Sequence, residues 1–231
     1  VTTAPRSEPT LAASLRSLAG AGWPEAHVFA EPDTLLPGEL TEERVTMRRQ
    51  LLGAWPNWLL SLQELTLRDP HADAYLLCQD DVLYCGGLRA YLERELWPAD
   101  RLGVVSLHTA SHQDHSREDG FHPVRHGWSA WGAQAYVFPN TAARALLRHP
   151  RVINHRPFGP RDGQCNVDSV VGQWALESGL PYYLHSPSLT QHVGETSTLW
   201  DNASAAGRRR AATFVGEETD IRDHMDAARD R

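Results

Sequence analysis

Ala74-Tyr75-Leu76-Leu77-Cys78-Gln79-Asp80-Asp81-Val82 is an apolar run that stops on two adjacent carboxylates. A run this short, set between the turn-prone Asp69-Pro70-His71 and Cys85-Gly86-Gly87, predicts a buried strand of a parallel sheet. In open α/β sheets ligands gather just beyond the carboxyl ends of such strands, which is where Asp80 and Asp81 fall. Neighbouring carboxylates repel each other, and a cation or a set of sugar hydroxyls would offset that repulsion. The plainer reading is a solvated turn, so the surrounding chain has to decide.

Upstream, Val1-Thr2-Thr3-Ala4-Pro5-Arg6 reads as a first strand running into a loop. Leu11, Leu15 and Leu18 then recur at helical spacing, with a stop at Gly20 and Gly22, and His27-Val28-Phe29-Ala30 makes a second strand. This β-α-β unit opens a sheet with nucleotide-binding potential. It carries neither G-x-G-x-x-G nor a phosphate loop, so phosphates would be met by side chains or a metal. A leucine-rich helix is predicted over 57–67, leading into the acidic strand end.

Downstream, helices are predicted over 88–96 and 169–177, and strands over 102–107, 135–139 and 181–184. Asn140 and Thr141 are expected to cap a helix through Leu147. Residues 108–127 are polar and without periodicity, as in functional or mobile loops. Their His108, His112, His115, His122 and His126 match no standard zinc spacing. The last thirty residues are charged and weakly patterned. Phe214-Val215 is the apolar patch by which that tail would dock back, while Arg208-Arg209-Arg210 would reach phosphate or face solvent. The expected organisation is one domain over 1–200 and a charged C-terminal tail over 201–231.

The formal charge of −7 argues against general binding of nucleic acid or of anionic membrane surfaces, both of which are polyanionic. No stretch approaches the ~20 apolar residues of a membrane span. Cys78, Cys85 and Cys165 are an odd set without zinc-type spacing, which predicts free thiols in a reducing, cytoplasmic setting.

Four landmarks in order carry a resemblance. They are Thr2-Thr3-Ala4-Pro5-Arg6, Gln79-Asp80-Asp81, the segment from Gly127-Trp128 through Trp131-Gly132-Ala133 to Tyr136-Val137-Phe138, and Pro187-Ser188-Leu189-Thr190-Gln191-His192-Val193-Gly194. Together they resemble nucleotide-sugar glycosyltransferases of the GT-A fold, and the last is similar to the ending of inverting N-acetylglucosaminyltransferase-like enzymes. The resemblance implies an α/β, GT-A-like, single Rossmann-like domain with a central mostly parallel sheet flanked by helices. It also implies Mn²⁺ or Mg²⁺, a nucleotide-sugar donor of the UDP type, and a glycan, lipid-linked or protein acceptor.

On that resemblance Asp81 and His192 would bind the metal and Asp80 the ribose. Gln79 stands where many relatives carry an acid. Asp168 would be the base that deprotonates the acceptor hydroxyl, with Asp162 as second candidate. The competing role for Asp168 is to cap a helix. Arg6 would pair with the diphosphate, Asp33 hold the base or ribose, and Thr3 assist. Trp128 and Trp131 would stack on sugar, and Gly132 would let the sugar approach the backbone. A nucleotidyltransferase is the rival enzyme, although its usual Gly-rich, Lys-containing loop is missing. A glycan-binding domain without activity is the non-enzymatic rival, and Gln79 is the residue that speaks for it.

Overall fold

The computed structural model describes residues 1–96, 103–113, 118–124, 131–155, 166–195 and 209–230. In chain order these form β1 (Thr2–Thr3), α1 (Leu11–Gly20), β2 (Val28–Ala30), β3 (Val45–Met47), α2 (Ala54–Arg68), β4 (Ala74–Cys78), β5 (Val82–Tyr84) and α3 (Leu88–Glu95). There follow β6 (Val104–Ser106), β7 (Gly120–Pro123), β8 (Ala135–Pro139), α4 (Asn140–Leu147), α5 (Pro150–Asn154), α6 (Val167–Glu177), β9 (Tyr182–Ser186), β10 (Thr190–His192) and α7 (Ile221–Arg229).

The architecture is α/β with mixed sheets. A parallel sheet runs β1-β2-β3, a five-stranded sheet runs β4-β8-β6-β9-β7, and β5 pairs with β10 as an antiparallel ribbon. One parallel bridge, Thr2 to Gln79, sets the edge of the first sheet against the end of β4. The Thr2 hydroxyl reinforces it by donating to the Cys78 carbonyl at 3.3 Å.

The expectation of a parallel neighbour for β4 fails within its own sheet, because β4 pairs antiparallel with β8, Tyr75 opposite Phe138 and Leu77 opposite Tyr136. The apolar run reports burial on both faces, which either direction of pairing satisfies. Alternation does the sorting. Ala74, Leu76 and Cys78 pack in the cluster that holds Leu18, Leu88 and Ile221, while Tyr75 and Leu77 pack in the cluster that holds Trp58, Leu146 and Trp174. Helices α1, α3 and α7 therefore contribute to one core, and α2, α4 and α6 to the other. After Gln79 the chain turns at Asp80-Asp81 and leaves as β5.

Five short elements escape the pattern reading. β3, β5 and β10 have three residues each, below the length at which alternation is visible. β7 lies inside the segment expected to be unpatterned; it is an edge strand with one aromatic and a terminal Pro, pairing with β9. α7 buries only Ile221 and Met225, a single i,i+4 pair, and is tied to α3 by Arg94–Asp226 at 3.0 Å and Arg229–Glu95 at 2.8 Å. Phe214 and Val215 pack against the same core. Asn140 does not cap α4 through its side chain. Its amide donates to Pro70 O, Ala72 O and the Tyr75 hydroxyl, fastening the start of α4 to the turn before β4.

His185, on β9, is fully buried. Its Nδ1–H donates to the Pro187 carbonyl at 2.6 Å, which leaves Nε2 to accept from the Tyr91 hydroxyl at 2.7 Å. Burial pushes this imidazole down to about 4, against the pull of the Pro187 carbonyl. As pH falls below ~6.5 the unfolded chain takes up a proton that the folded chain refuses, so stability declines until the folded value is reached. Urea denaturation between pH 7 and pH 4.5 should show a fall that includes up to about 1.4 kcal/mol per pH unit from this group. His185→Gln should lower overall stability and remove that share of the slope.

Candidate functional site

Three distant pieces of chain meet at the turn after β4. Asp80 and Asp81 are held there by the bridge of Gln79 to Thr2, by the bond from Gln79 N to Gln134 O at 2.9 Å, and by pairing of β5 with β10. The register of that ribbon sets His192 opposite Val82, and Val193 N closes it onto the Asp81 carbonyl at 2.9 Å. His192 thus arrives beside Asp81 through backbone pairing across 111 residues, with Nε2 at 3.1 Å from Asp81 Oδ2. Gly194 is required at this approach, since a Cβ there would come within 2.7 Å of the same oxygen.

Asp80 and Asp81 are almost wholly buried, at 2% and 4% exposure. Burying two carboxylates side by side needs compensation. Arg6 provides it: Nη2 contacts Asp80 Oδ1 at 2.7 Å and Asp81 Oδ2 at 2.8 Å, while Nε donates to both Asp80 oxygens at 3.1 Å. Thr3 donates its hydroxyl to Asp80 Oδ2 at 2.5 Å. Thr3 is therefore a buried member of the cluster and not a surface turn residue. The Arg6 guanidinium, read from sequence as a diphosphate partner, is committed here to the two acids.

The acids differ electrically. Burial pushes the Asp80 carboxyl up, and the pull of Arg6 does not fully offset it. Burial also pushes Asp81 up, but His192 and Arg6 outweigh it and hold that carboxyl down at about 2. Asp81 is accordingly an anion at neutral pH. Its Oδ1 and the Nδ1 of His192 are buried without a hydrogen-bond partner among the described residues.

These atoms bear on whether a divalent ion fits. No group of three His, Cys, Asp or Glu side chains able to hold a metal occurs among the described residues. Two protein ligands suffice where substrate phosphates and water complete the shell, as is usual for Mg²⁺. The separation of 3.1 Å between His192 Nε2 and Asp81 Oδ2 matches the ~3.0 Å between adjacent ligands of an octahedral ion with bonds of ~2.1 Å. The 3.1 Å is equally a hydrogen-bond distance, and an imidazole with a carboxylate is a donor pair that a small hard or borderline cation takes.

His108 backs the ribbon from behind. Its Nε2–H donates to the Arg209 carbonyl at 2.8 Å, so Nδ1 accepts from the Thr190 hydroxyl at 3.4 Å. Burial, and the neighbouring His192, push this imidazole down to about 4. Gln191 binds the tail two residues further on in both directions, donating to Ala211 O at 3.0 Å and accepting from Ala211 N at 2.9 Å.

Asp168 does not cap α6. Asn166 does, accepting from Ser169 N at 2.9 Å. Asp168 Oδ1 instead accepts from Gly132 N at 2.7 Å, Ala133 N at 2.6 Å and the Tyr136 hydroxyl at 3.2 Å. Burial raises this carboxyl, and the amides of Ala133 and Gly132 restrain the rise. Tyr182 donates to Tyr136 at 3.1 Å and completes the support. Neither tyrosine was singled out from sequence; a tyrosine on a strand buried on both faces is the signal, because its hydroxyl must find a partner. Gly132 is needed for packing, as a Cβ there would collide with Ser106 and the Tyr182 hydroxyl.

The remaining candidates are spread. Asp33 is exposed, in the left-handed region at φ 62°, on the turn after β2. Beside Arg6 lies a small, shallow cleft, partly open to solvent, whose lining includes Thr3, Arg6, Thr10, Thr34, Leu35 and Asp80. Trp131 is 45% exposed and meets His112 edge-on at 4.6 Å. Asp162 and Trp128 lie outside the described residues.

No protein-family model matches the chain, and no curated protein matches it.

Asp168→Ala would strand the Gly132 and Ala133 amides at about 1–3 kcal/mol each, a loss of roughly 2–6 kcal/mol by urea denaturation. Asp168→Asn, which keeps an acceptor oxygen toward them, should lose less than half of that.

Proposed function

We propose that this chain is a metal-dependent glycosyltransferase of the GT-A type, moving a sugar from a UDP-type nucleotide donor to a hydroxyl acceptor with inversion. The observation that carries the reading is the convergence of Thr3, Arg6, Asp80, Asp81 and His192 on one buried cluster at the end of β4. These include the residues that the resemblance picks out, from three separate parts of the chain. The parallel β1-β2-β3 sheet and the helices on both sides of β4 support it, whereas the five-stranded sheet, antiparallel at three of its four pairings, is not the mostly parallel central sheet expected.

On this reading the nucleoside lies over the shallow cleft next to Arg6. Leu35 at its rim is 70% exposed and offers an apolar surface to a base, while Asp80 and Thr3 offer polar atoms to a ribose. Asp81 and His192 would hold Mn²⁺ or Mg²⁺, which supplies charge compensation for the departing diphosphate. Asp168 is the base. Oδ1 is fastened by two amides and a phenol, and the other oxygen would take the acceptor proton as the hydroxyl attacks the anomeric carbon. A carboxyl raised by burial is a better proton acceptor than a free one.

No helix among the described residues is long and apolar enough to cross a membrane. On this reading the acceptor is a glycan, a lipid-linked molecule or a protein.

Calorimetry with UDP in Mn²⁺ and in EDTA checks the donor side: binding should require the metal, and Asp81→Ala should abolish it. Asp168→Asn should lower transfer by about 10²–10⁴ while leaving UDP affinity within a few-fold of wild type. Unchanged transfer in Asp168→Asn would remove it as the base. Metal-dependent UDP binding with no transfer to any acceptor would favour a sugar-binding domain that has lost activity.

A further inference from the structure

The Arg6 guanidinium stands where a cation bound to Asp81 would feel it most. Its Nη2 is 2.8 Å from Asp81 Oδ2, the same oxygen that His192 Nε2 approaches at 3.1 Å. Gly194 crowds that oxygen from a further side, and the other oxygen, Oδ1, has no solvent access and no partner among the described residues. A divalent ion on Asp81 would lie within a few ångströms of Nη2, where like charges at low dielectric repel strongly. Both cations do not fit on one carboxylate that is closed on every side.

The two ends of this contact differ in rigidity. Asp81 is fixed by β5, by the bond to Val193 N at 2.9 Å and by the β5–β10 register. Arg6 sits between Pro5 and Pro9 in a stretch where residues 5, 7, 8 and 9 are exposed. Residues 5–9 make no backbone hydrogen bond among the described residues, so the position of Arg6 is set by its own contacts to Asp80 and Asp81. The arginine is the partner free to move, and the cleft it borders is where a diphosphate would present an anion to receive it.

We propose that Arg6 and a divalent cation exchange on Asp81: Arg6 is the built-in counterion of the ion-free protein, and ion binding releases its guanidinium toward the donor's phosphates. This rests on the reading of Asp81 and His192 as cation ligands. The two acids are thereby compensated in both states. Arg6 also sets a threshold, since any ion must displace it before binding, and the donor lowers that threshold by offering Arg6 a second anion.

The test measures Mn²⁺ binding by calorimetry and thermal melting in the absence of nucleotide, for wild type, Arg6→Met, Arg6→Gln, Asp81→Asn and Arg6→Met with Asp81→Asn. Arg6→Met should bind one Mn²⁺ at least about tenfold more tightly than wild type, the order of a charge contact of this kind. In EDTA it should melt roughly 6–20 °C below wild type, because a buried acid pair has lost its counterion, and Mn²⁺ should restore much of that difference. The double variant should lose the tight binding and the rescue. Arg6→Gln, which keeps a donor toward Asp80, gives the same comparison if Arg6→Met does not fold. Mn²⁺ binding in Arg6→Met and Arg6→Gln no tighter than in wild type, with Asp81→Asn abolishing it, would overturn the exchange while leaving the cation site standing. Absence of Mn²⁺ binding in all proteins at millimolar ion would overturn the cation site and the exchange with it.

Discussion

Two carboxylates side by side in the interior, Asp80 and Asp81, impose the condition that the rest of the site satisfies. Left alone, they would repel and be driven to protonate. Arg6 comes from the loop after β1, Thr3 from β1 itself and His192 from β10, and each spends a hydrogen bond on the pair. Those contacts tie the parallel sheet, the turn after β4 and the β5–β10 ribbon to one point. Removing one partner of such a buried pair typically costs about 3–5 kcal/mol, from about a fifth upward of a typical domain's stability.

The compensation is uneven, and the unevenness is chemically useful. Asp81 is held as an anion by two cationic or hydrogen-bonding neighbours, whereas Asp80 faces a single arginine and a hydroxyl and is pushed up by burial. A site that needs one permanent anion to receive a cation and one carboxyl to meet hydroxyls would separate its acids in this way. Asp168 is set apart on α6, anchored by the Gly132 and Ala133 amides to the loop before β8.

Much of this was legible in the chain. The strand-to-acid transition at Cys78-Gln79-Asp80-Asp81 marked the turn, while His192 was picked out only by the resemblance of its Gln-His-Val-Gly setting, and the strand that carries it was not legible. The direction of β4 was not legible: alternation reports which faces are buried, and Tyr75 and Leu77 would alternate identically beside a parallel or an antiparallel neighbour. Nor was the role of Arg6, which lies 74 residues from Asp80 in the chain, so that only the fold shows the acids holding it. Asp168 was legible as a special residue for an incomplete reason. A helix start offers a cap role to several residues, and only the packing of α6 against Gly132 and Ala133 assigns the cap to Asn166 and frees Asp168.

A crystal structure with UDP and Mn²⁺ bound tests the central claim most directly, because it observes the acid pair, its counterion and the cleft together. The account predicts Mn²⁺ on Asp81 and His192, the nucleoside in the cleft between Thr10 and Leu35, and Arg6 turned from Asp81 toward the diphosphate. UDP lodged elsewhere, with Arg6 still bridging Asp80 and Asp81 and no ion on His192, would contradict it.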